Sequence, residues 1–306
     1  MITERIRRAV DGPIDWLIGI LLSWLIPLNL VGRWKITYGV SLLLWIVPIV
    51  CILPRFISRT HPGSKRRRAA VITALYISVG GTVLDILFGG LILRFSAKET
   101  YWFPIPAIGG EGWIPVEELL FYISGGIAIV LVYFWADEFW LSCYNIRQRR
   151  DLLPGGGRLL QFSWPFLSTL VGLVAAGIVA RYCYQLDLRL PAYYTFLSCV
   201  AFAPAIVLYR GVHDFVNWQA FSFTALYVLL TACLWEVTLG LPNRWWGYRD
   251  TGMIGKYIGA WGPKEWPYPI EALLVWLVVA FACVLTYEAV KAYHYDPRPP
   301  RQRLMG

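Results

Sequence analysis

The stretch AVITALYISVGGTVLDILFGGLIL, residues 70–93, decides how this chain folds. It is a continuous apolar run rather than an alternating one, and it follows the basic cluster Lys65-Arg66-Arg67-Arg68. About 20 apolar residues in a helix cross the roughly 30 Å hydrocarbon layer of a bilayer. Because lipid cannot satisfy free backbone N–H and C=O groups, such a run predicts a transmembrane helix.

Comparable runs recur along the 306 residues, of which 58% are hydrophobic and only 15% charged. A soluble domain of this length would carry nearer a quarter charged residues. The predicted spans are 14–32, 36–54, 70–93, 115–136, 162–180, 192–209, 220–240 and 269–289. The sequence therefore predicts an all-α integral membrane protein of about eight transmembrane helices.

The formal net charge of +9 has an explanation in membrane topology, so no nucleic-acid partner is expected. Lys and Arg collect in cytoplasmic loops of membrane proteins. The basic segments are 5–8, 55–68, 147–158 and the tail 291–303. An even number of spans with a cytoplasmic N-terminus places all of them on the cytoplasmic side. We therefore expect a protein integral to the inner or plasma membrane, with both termini in the cytoplasm and membrane lipids around it.

The two halves of the chain carry similar patterns. In residues 1–150 an acid-bearing third span (Asp85) is followed by a Tyr-Trp-Phe loop and then by Pro115-Val116-Glu117-Glu118. In residues 151–306 the corresponding features are Glu236, the Trp245-Trp246-Gly247-Tyr248 loop and Pro269-Ile270-Glu271. Both halves begin inside, so we predict two parallel four-helix repeats, separated by the helix-breaking linker 153–157. Parallel repeats in membrane proteins often place a binding site at their interface.

Carboxylates are the candidate catalytic groups. An ionised Asp85 near the bilayer centre would cost about 2.5–3.5 kcal/mol, and a protonated, purely structural aspartate is the alternative. Acids in a first helical turn, such as Glu117, Glu118 and Glu271, also complement the helix dipole, so capping is an alternative for them. With the predicted topology these acids and Glu236 lie at one depth in the outer half of the membrane. Five acids that share a cavity cannot all ionise, which favours a protonated donor beside a carboxylate acceptor. By contrast, Asp137-Glu138 at the inner end of the fourth span is expected to anchor the membrane interface.

Aromatic residues are dense beside the acids. Most of them fit the interfacial aromatic belt of membrane proteins. The alternative is a pocket whose ring faces stabilise a carbocation, at about 1–2 kcal/mol per well-placed ring. The candidate substrate-binding residues are Trp102, Trp113, Tyr122, Trp245, Trp246 and Tyr248.

No cofactor and no metal site are predicted. The sequence contains no GxGxxG, GxxxxGK[ST] or HExxH motif and no aspartate-rich DDxxD pair. These absences argue against a nucleotide-driven pump and against magnesium-dependent diphosphate chemistry. The function class that is left after these exclusions is acid–base chemistry on an apolar substrate dissolved in the membrane.

The motif Pro115-Val116-Glu117-Glu118 and its following aromatics, with the second copy in 245–271, resembles the lycopene cyclase domain family of the heterodimeric bacterial and fungal bifunctional type. The resemblance covers residues 70–136 and 220–289. It implies a redox-neutral cyclisation in which a carboxylic acid protonates an isoprenoid double bond, a ring closes and a proton is lost. Carried over by position, Asp85, Glu117 and Glu118 form one acid–base group, and Glu236 with Glu271 forms another.

The sequence departs from the family pattern in two respects, since Ala272 replaces the second glutamate and eight spans exceed the six or seven expected. The substrate is expected to be a carotenoid or another terpenoid, and neighbouring biosynthetic enzymes are possible partners. A hydratase or isomerase of the same substrates is one alternative. A proton-coupled carrier or a lipid-binding membrane protein is another, because intramembrane acids also serve as proton relays.

Overall fold

The described part of the chain is a bundle of long helices with a small layer of loops at one end. The computed structural model describes residues 37–43, 65–96, 101–106, 112–142, 192–255, 257–258 and 268–295, together with isolated positions between 168 and 179. Residues 38–43 are helical, and they precede the first long helix.

Five long helices form the bundle within these residues. They are α1 (Lys65–Ile92), α2 (Val116–Trp135), α3 (Ala192–Val212), α4 (Trp218–Trp235) and α5 (Ile270–Tyr295). α2 continues into the π-helical turn Ala136–Trp140, and α4 continues into a second one, Glu236–Gly240.

Local sequence signals explain where these helices begin. Pro115 and Pro269 immediately precede α2 and α5, in keeping with the preference for proline where a helix starts. Asn217 caps α4, because its Oδ1 accepts the backbone N–H of Ala220 at 3.2 Å. Apolar side chains fill the rest of each helix, so tertiary packing rather than capping supplies most of the stability.

α5 is the central helix of the described bundle, and it packs against α1, α2, α3 and α4. α1 lies at the periphery. One face of α1 exposes apolar side chains at intervals of four residues, namely Val71, Leu75, Val79, Val83, Leu87 and Leu91. A contiguous apolar face of this kind is typical of contact with lipid rather than with water.

Short strands tie the helix ends together at one end of the bundle. β1 (Leu93–Arg94) follows α1 and pairs antiparallel with β4 (Gly247–Tyr248), which follows α4. β2 (Pro104–Pro106) pairs with β3 (Trp113–Pro115), which leads into α2. An isolated bridge between Tyr257 and Pro269 stands just before α5. We call this set of loops and strands, the described residues 93–96, 101–106, 112–115, 241–255, 257–258 and 268–269, the loop layer.

The helical character that the sequence predicts is confirmed for the spans 70–93, 115–136, 192–209, 220–240 and 269–289. Within the described residues, four helices are long and apolar enough to cross a membrane: Lys65–Ile92, Val116–Trp140, Trp218–Gly240 and Ile270–His294. The predicted spans 14–32, 36–54 and 162–180 lie largely outside the described residues.

Candidate functional site

A cavity of about 60 Å³ lies inside the bundle, directly beneath the loop layer. One water position needs about 10–15 Å³ of such space, so the cavity offers roughly four to six of them. Its walls come from all five helices, the helical residues 38–43 and strands β1 and β4. The residues that line it are Tyr38, Ile92, Leu93, Glu118, Phe121, Tyr122, Gly125, Gly126, Ile129, Tyr193, Trp235, Glu236, Trp246, Tyr248, Val275, Trp276 and Val279.

Glu118 is one of two carboxyl groups in the cavity wall among the residues that the structure describes. It lies in the first turn of α2 and is buried. The hydroxyl of Tyr38 donates a hydrogen bond of 2.6 Å to Glu118 Oε2. Glu118 also interacts electrostatically with Asp85 and Glu236, so these three acids belong to one cluster.

Glu236 is the second carboxyl group that the described residues place in the wall, and the side chains of Tyr248, Trp276 and Tyr268 donate hydrogen bonds to it. The Tyr248 hydroxyl donates to Glu236 Oε2 at 2.6 Å, and Trp276 Nε1 donates to Oε1 at 3.2 Å. Burial and the adjacent Glu236 raise the pKa of the Tyr248 phenol well above its usual value, so Tyr248 keeps its proton and remains a donor. Glu236 begins the π-helical turn that ends α4, and such turns occur frequently at functional sites.

Asp85 lies behind the cavity wall rather than in it. Its side chain is buried, and neither carboxyl oxygen has a hydrogen-bond partner among the described residues. A Cβ atom on Gly89 would stand 2.6 Å from Asp85 Oδ1, so the glycine one turn later makes room for this carboxyl group. Asp85 is near enough to interact electrostatically with Glu118, Tyr38 and Tyr122.

Glu117 and Glu271 are buried at the same end of the bundle but do not line the cavity. Glu117 Oε1 accepts the backbone N–H of Trp102 at 2.5 Å. Glu271 Oε1 accepts the backbone N–H of Ile254 at 2.7 Å. The five acids predicted to lie at one depth are thus divided by the fold into a central cluster of three and two that contact loops.

The six predicted substrate-binding aromatics are divided in the same way. Tyr122, Trp246 and Tyr248 line the cavity. Trp245 lies one layer behind, stacked on Tyr38 with ring centroids 5.7 Å apart. Trp113 packs edge-on against Tyr101 in the loop layer, away from the cavity.

Trp102, in contrast, is 53% exposed and does not line the cavity, which fits the interfacial belt better than a binding pocket. Its ring lies close to Gly39, where a Cβ atom would stand only 2.3 Å from the indole.

Several aromatic residues of the wall are not among the six predicted substrate-binding residues. Phe121 stacks on Trp235 at 5.1 Å and meets Trp276 edge-on at 5.4 Å. Tyr38 and Tyr193 come from helices that carry no acid, so only the fold brings them to the site. Trp276 lies five residues after Glu271 in the same helix, and this proximity to an acid is the sequence signal that could have identified it as a residue of the site.

A second buried polar cluster lies at the opposite end of the bundle, and we call it the Lys291 network. Lys291 Nζ contacts Glu288 Oε1 at 2.6 Å and Asp137 Oδ2 at 3.3 Å. Tyr133 donates to Glu288 at 2.9 Å, and Asn217 Nδ2 donates to Asp137 Oδ1 at 3.1 Å. Asp137 was expected to anchor the membrane interface; instead it is buried, because Lys291 supplies an opposite charge inside the bundle.

Glu138, the neighbour of Asp137, forms an ion pair with the half-exposed Arg66, as an interface anchor would.

Among the described residues no group of three or more His, Cys, Asp or Glu side chains is arranged to hold a metal ion. No family model, curated protein or solved structure matches this chain.

Proposed function

We propose that this protein is a membrane-embedded cyclase that closes a ring in a carotenoid, such as a lycopene-like chain, or in another terpenoid. The observation that carries the proposal is the pairing of two buried carboxyl groups, Glu118 and Glu236, in the wall of one aromatic cavity. The cavity is sized for the end of an isoprenoid chain rather than for a whole molecule, and the rest of such a substrate would lie in the bilayer.

The reaction is redox-neutral and needs no cofactor. A protonated carboxyl of the cluster formed by Asp85, Glu118 and Glu236 gives its proton to a terminal double bond, and a carbocation forms. The electron pair of a second double bond attacks the cation and closes the ring. A carboxylate of the same cluster removes a proton from the adjacent carbon, so the product has the mass of the substrate.

The aromatic wall suits this chemistry. Phe121, Trp235, Trp246 and Trp276 line the cavity, where each ring with its face towards a cation would stabilise it by about 1–2 kcal/mol. The largely apolar wall also limits the water that can reach the cation, which would otherwise end as an alcohol.

The proposed architecture is two parallel four-helix repeats, residues 1–150 and 151–306, with about eight spans in all. Support comes from matching contacts at the loop end. Glu117 and Glu271, both in the first turn after a proline, each accept a backbone N–H from the preceding loop. The basic residues at the other end of α1 favour a cytoplasmic location for that end and for both termini. The two Pro-x-Glu segments, which resemble motifs of the lycopene cyclase domain family, occupy matching positions in the two proposed repeats.

Partners follow from the substrate. An apolar isoprenoid would enter from the lipid, and neighbouring biosynthetic enzymes in the same membrane would supply it or take up the product. A hydratase or isomerase remains an alternative that would use the same site.

A proton-coupled carrier is the alternative from another class. The specific observation in its favour is the Lys291 network, a second buried ionic cluster at the far end of the same helices. Ionisable groups at two depths are what a proton relay needs. Proton-coupled uptake into proteoliposomes without any new product would select this alternative.

The test is chromatography with mass spectrometry of lipid extracts. The protein is produced in cells that accumulate lycopene, and in membranes supplied with simpler prenylated alcohols or quinols. We expect a product of unchanged mass and altered retention, which disappears in Glu118→Gln, Glu236→Gln and Asp85→Asn. Asp214→Asn is the matched control, since the Asp214 side chain is 60% exposed and lies at the opposite end. Addition of one water to the mass would identify a hydratase, and full turnover by all three variants would refute the cluster as the acid–base group.

A further inference from the structure

Glu117 and Glu271 make the same set of contacts in different parts of the chain. Each lies in the first turn of a long helix and is fully buried. Each accepts the N–H of a loop residue, 15 positions earlier for Glu117 and 17 positions earlier for Glu271. Each also interacts with its own backbone N–H.

These contacts require an acceptor oxygen and a definite reach, but not an exchangeable proton. The N–H groups at the start of a helix have no partner within the helix, and a carboxyl oxygen satisfies them. Neither side chain lines the cavity, so neither carboxyl group faces the place where a substrate double bond would lie.

The loop held by Glu117 supports one wall of the cavity. Tyr101, next to Trp102, donates a hydrogen bond from its hydroxyl to the backbone carbonyl of Trp245. Trp245 in turn stacks on Tyr38, the residue that donates to Glu118. A shift of this loop would therefore be transmitted to one of the two carboxyl groups of the site.

The loop held by Glu271 supports the adjoining wall. Ile254 follows the tight turn Asp250–Gly252, whose last residue lies against the Leu91 carbonyl, where a Cβ atom would stand 2.7 Å away. The N–H of Arg249 donates to the Ile92 carbonyl at 2.9 Å, next to the strand that carries Tyr248.

We infer that Glu117 and Glu271 are positioning residues that fasten the loop layer to α2 and α5 and thereby hold Trp246 and Tyr248 over the cavity. The contacts described above support the attachment of the loops directly, whereas the effect of that attachment on turnover rests on the proposed function.

The experiment compares two substitutions at each position in the full-length protein in lipid nanodiscs. Glu117→Gln and Glu271→Gln keep the reach and the acceptor oxygen but lose the acid. Glu117→Asp and Glu271→Asp keep the acid but shorten the side chain by one methylene. If the two glutamates position the loops, the Gln variants should retain more function than the Asp variants. If the two glutamates transfer protons, the Asp variants should retain more function than the Gln variants.

The first readout is hydrogen–deuterium exchange of the peptides that contain Trp102 and Ile254. We expect exchange at those amides to be about 10- to 100-fold faster in the Asp variants, the range expected when a buried N–H loses its acceptor. In the Gln variants we expect exchange within about threefold of wild type. Unchanged protection in both Asp variants would overturn the inference.

The second readout is turnover on a substrate that the wild type converts. We expect kcat/KM to fall at most a few-fold in the Gln variants. In the Asp variants we expect kcat/KM to fall further. Gln variants that keep amide protection but lose all turnover would overturn the positioning role. A wild-type protein that converts no isoprenoid would refute the proposed cyclase, and the exchange rates would still decide whether the two glutamates fasten the loops.

Discussion

Replacing Tyr38 by Phe removes one oxygen atom from the site and leaves the shape of the ring unchanged. In the wild-type protein this hydroxyl donates to Glu118 Oε2 at 2.6 Å, and both groups are buried. The ring itself packs against Trp245 and Trp246, with centroids 5.7 and 5.3 Å away. The Phe variant keeps that packing, so the substitution isolates the hydrogen bond.

The magnitude follows from the kind of bond that is lost. A buried acceptor left without its donor costs about 1–3 kcal/mol. Since about 1.36 kcal/mol corresponds to a tenfold change in rate, we expect Tyr38→Phe to lower turnover about 10- to 150-fold. Tyr248→Phe should lose less, below about tenfold, because Glu236 keeps its bond from Trp276.

The assay is product formed per mole of purified protein, followed by chromatography, together with the midpoint of thermal unfolding. Tyr76→Phe is the matched control, because Tyr76 is 67% exposed on the outer face of α1, and both readouts should stay at wild-type values. The reasoning is refuted if Tyr38→Phe turns over as fast as wild type and unfolds at the same temperature. A loss in Tyr248→Phe that exceeds the loss in Tyr38→Phe would also contradict it.

Two further predictions concern packing and charge. Gly125 lines the cavity and a Cβ there meets nothing within 4 Å, so Gly125→Leu should fold normally and lose turnover by filling the cavity, as the melting midpoint and the product assay would reveal. At the neighbouring Gly126 a Cβ would stand 2.6 Å from a side chain of α1, so Gly126→Ala should instead destabilise the protein by about 1–3 kcal/mol. Lys291→Met removes the positive charge that contacts the buried Asp137 and Glu288 and should cost about 3–5 kcal/mol in the free energy of unfolding. Arg66→Ala, where the arginine side chain is 48% exposed and that of its partner Glu138 8% exposed, should cost less than Lys291→Met, and equal losses in the two variants would contradict the assignment of a buried network.

The sequence was sufficient for features that depend on local composition. Continuous apolar runs predicted the helices that contain Asp85 and Glu236, because a lipid environment requires every backbone group to be bonded within its own segment. The Pro-x-Glu pattern located the starts of α2 and α5, because proline and acids both favour a first helical turn. The prediction that acids gather at one end also follows from counting spans, and within the described residues those acids do lie at one end of the bundle.

Tertiary structure alone decided which of those residues meet. Glu117 and Glu118 are neighbours in sequence, yet only Glu118 enters the cavity, because consecutive helical side chains point about 100° apart and packing selects one of the two faces. Tyr38, the donor to Glu118, is 80 positions away in the chain, and Lys291 reaches Asp137 across 154 positions. The amino-acid composition and hydrophobic pattern of a segment indicate which secondary structure that segment prefers by itself. The contacts named above, in contrast, form only when separate helices pack side by side.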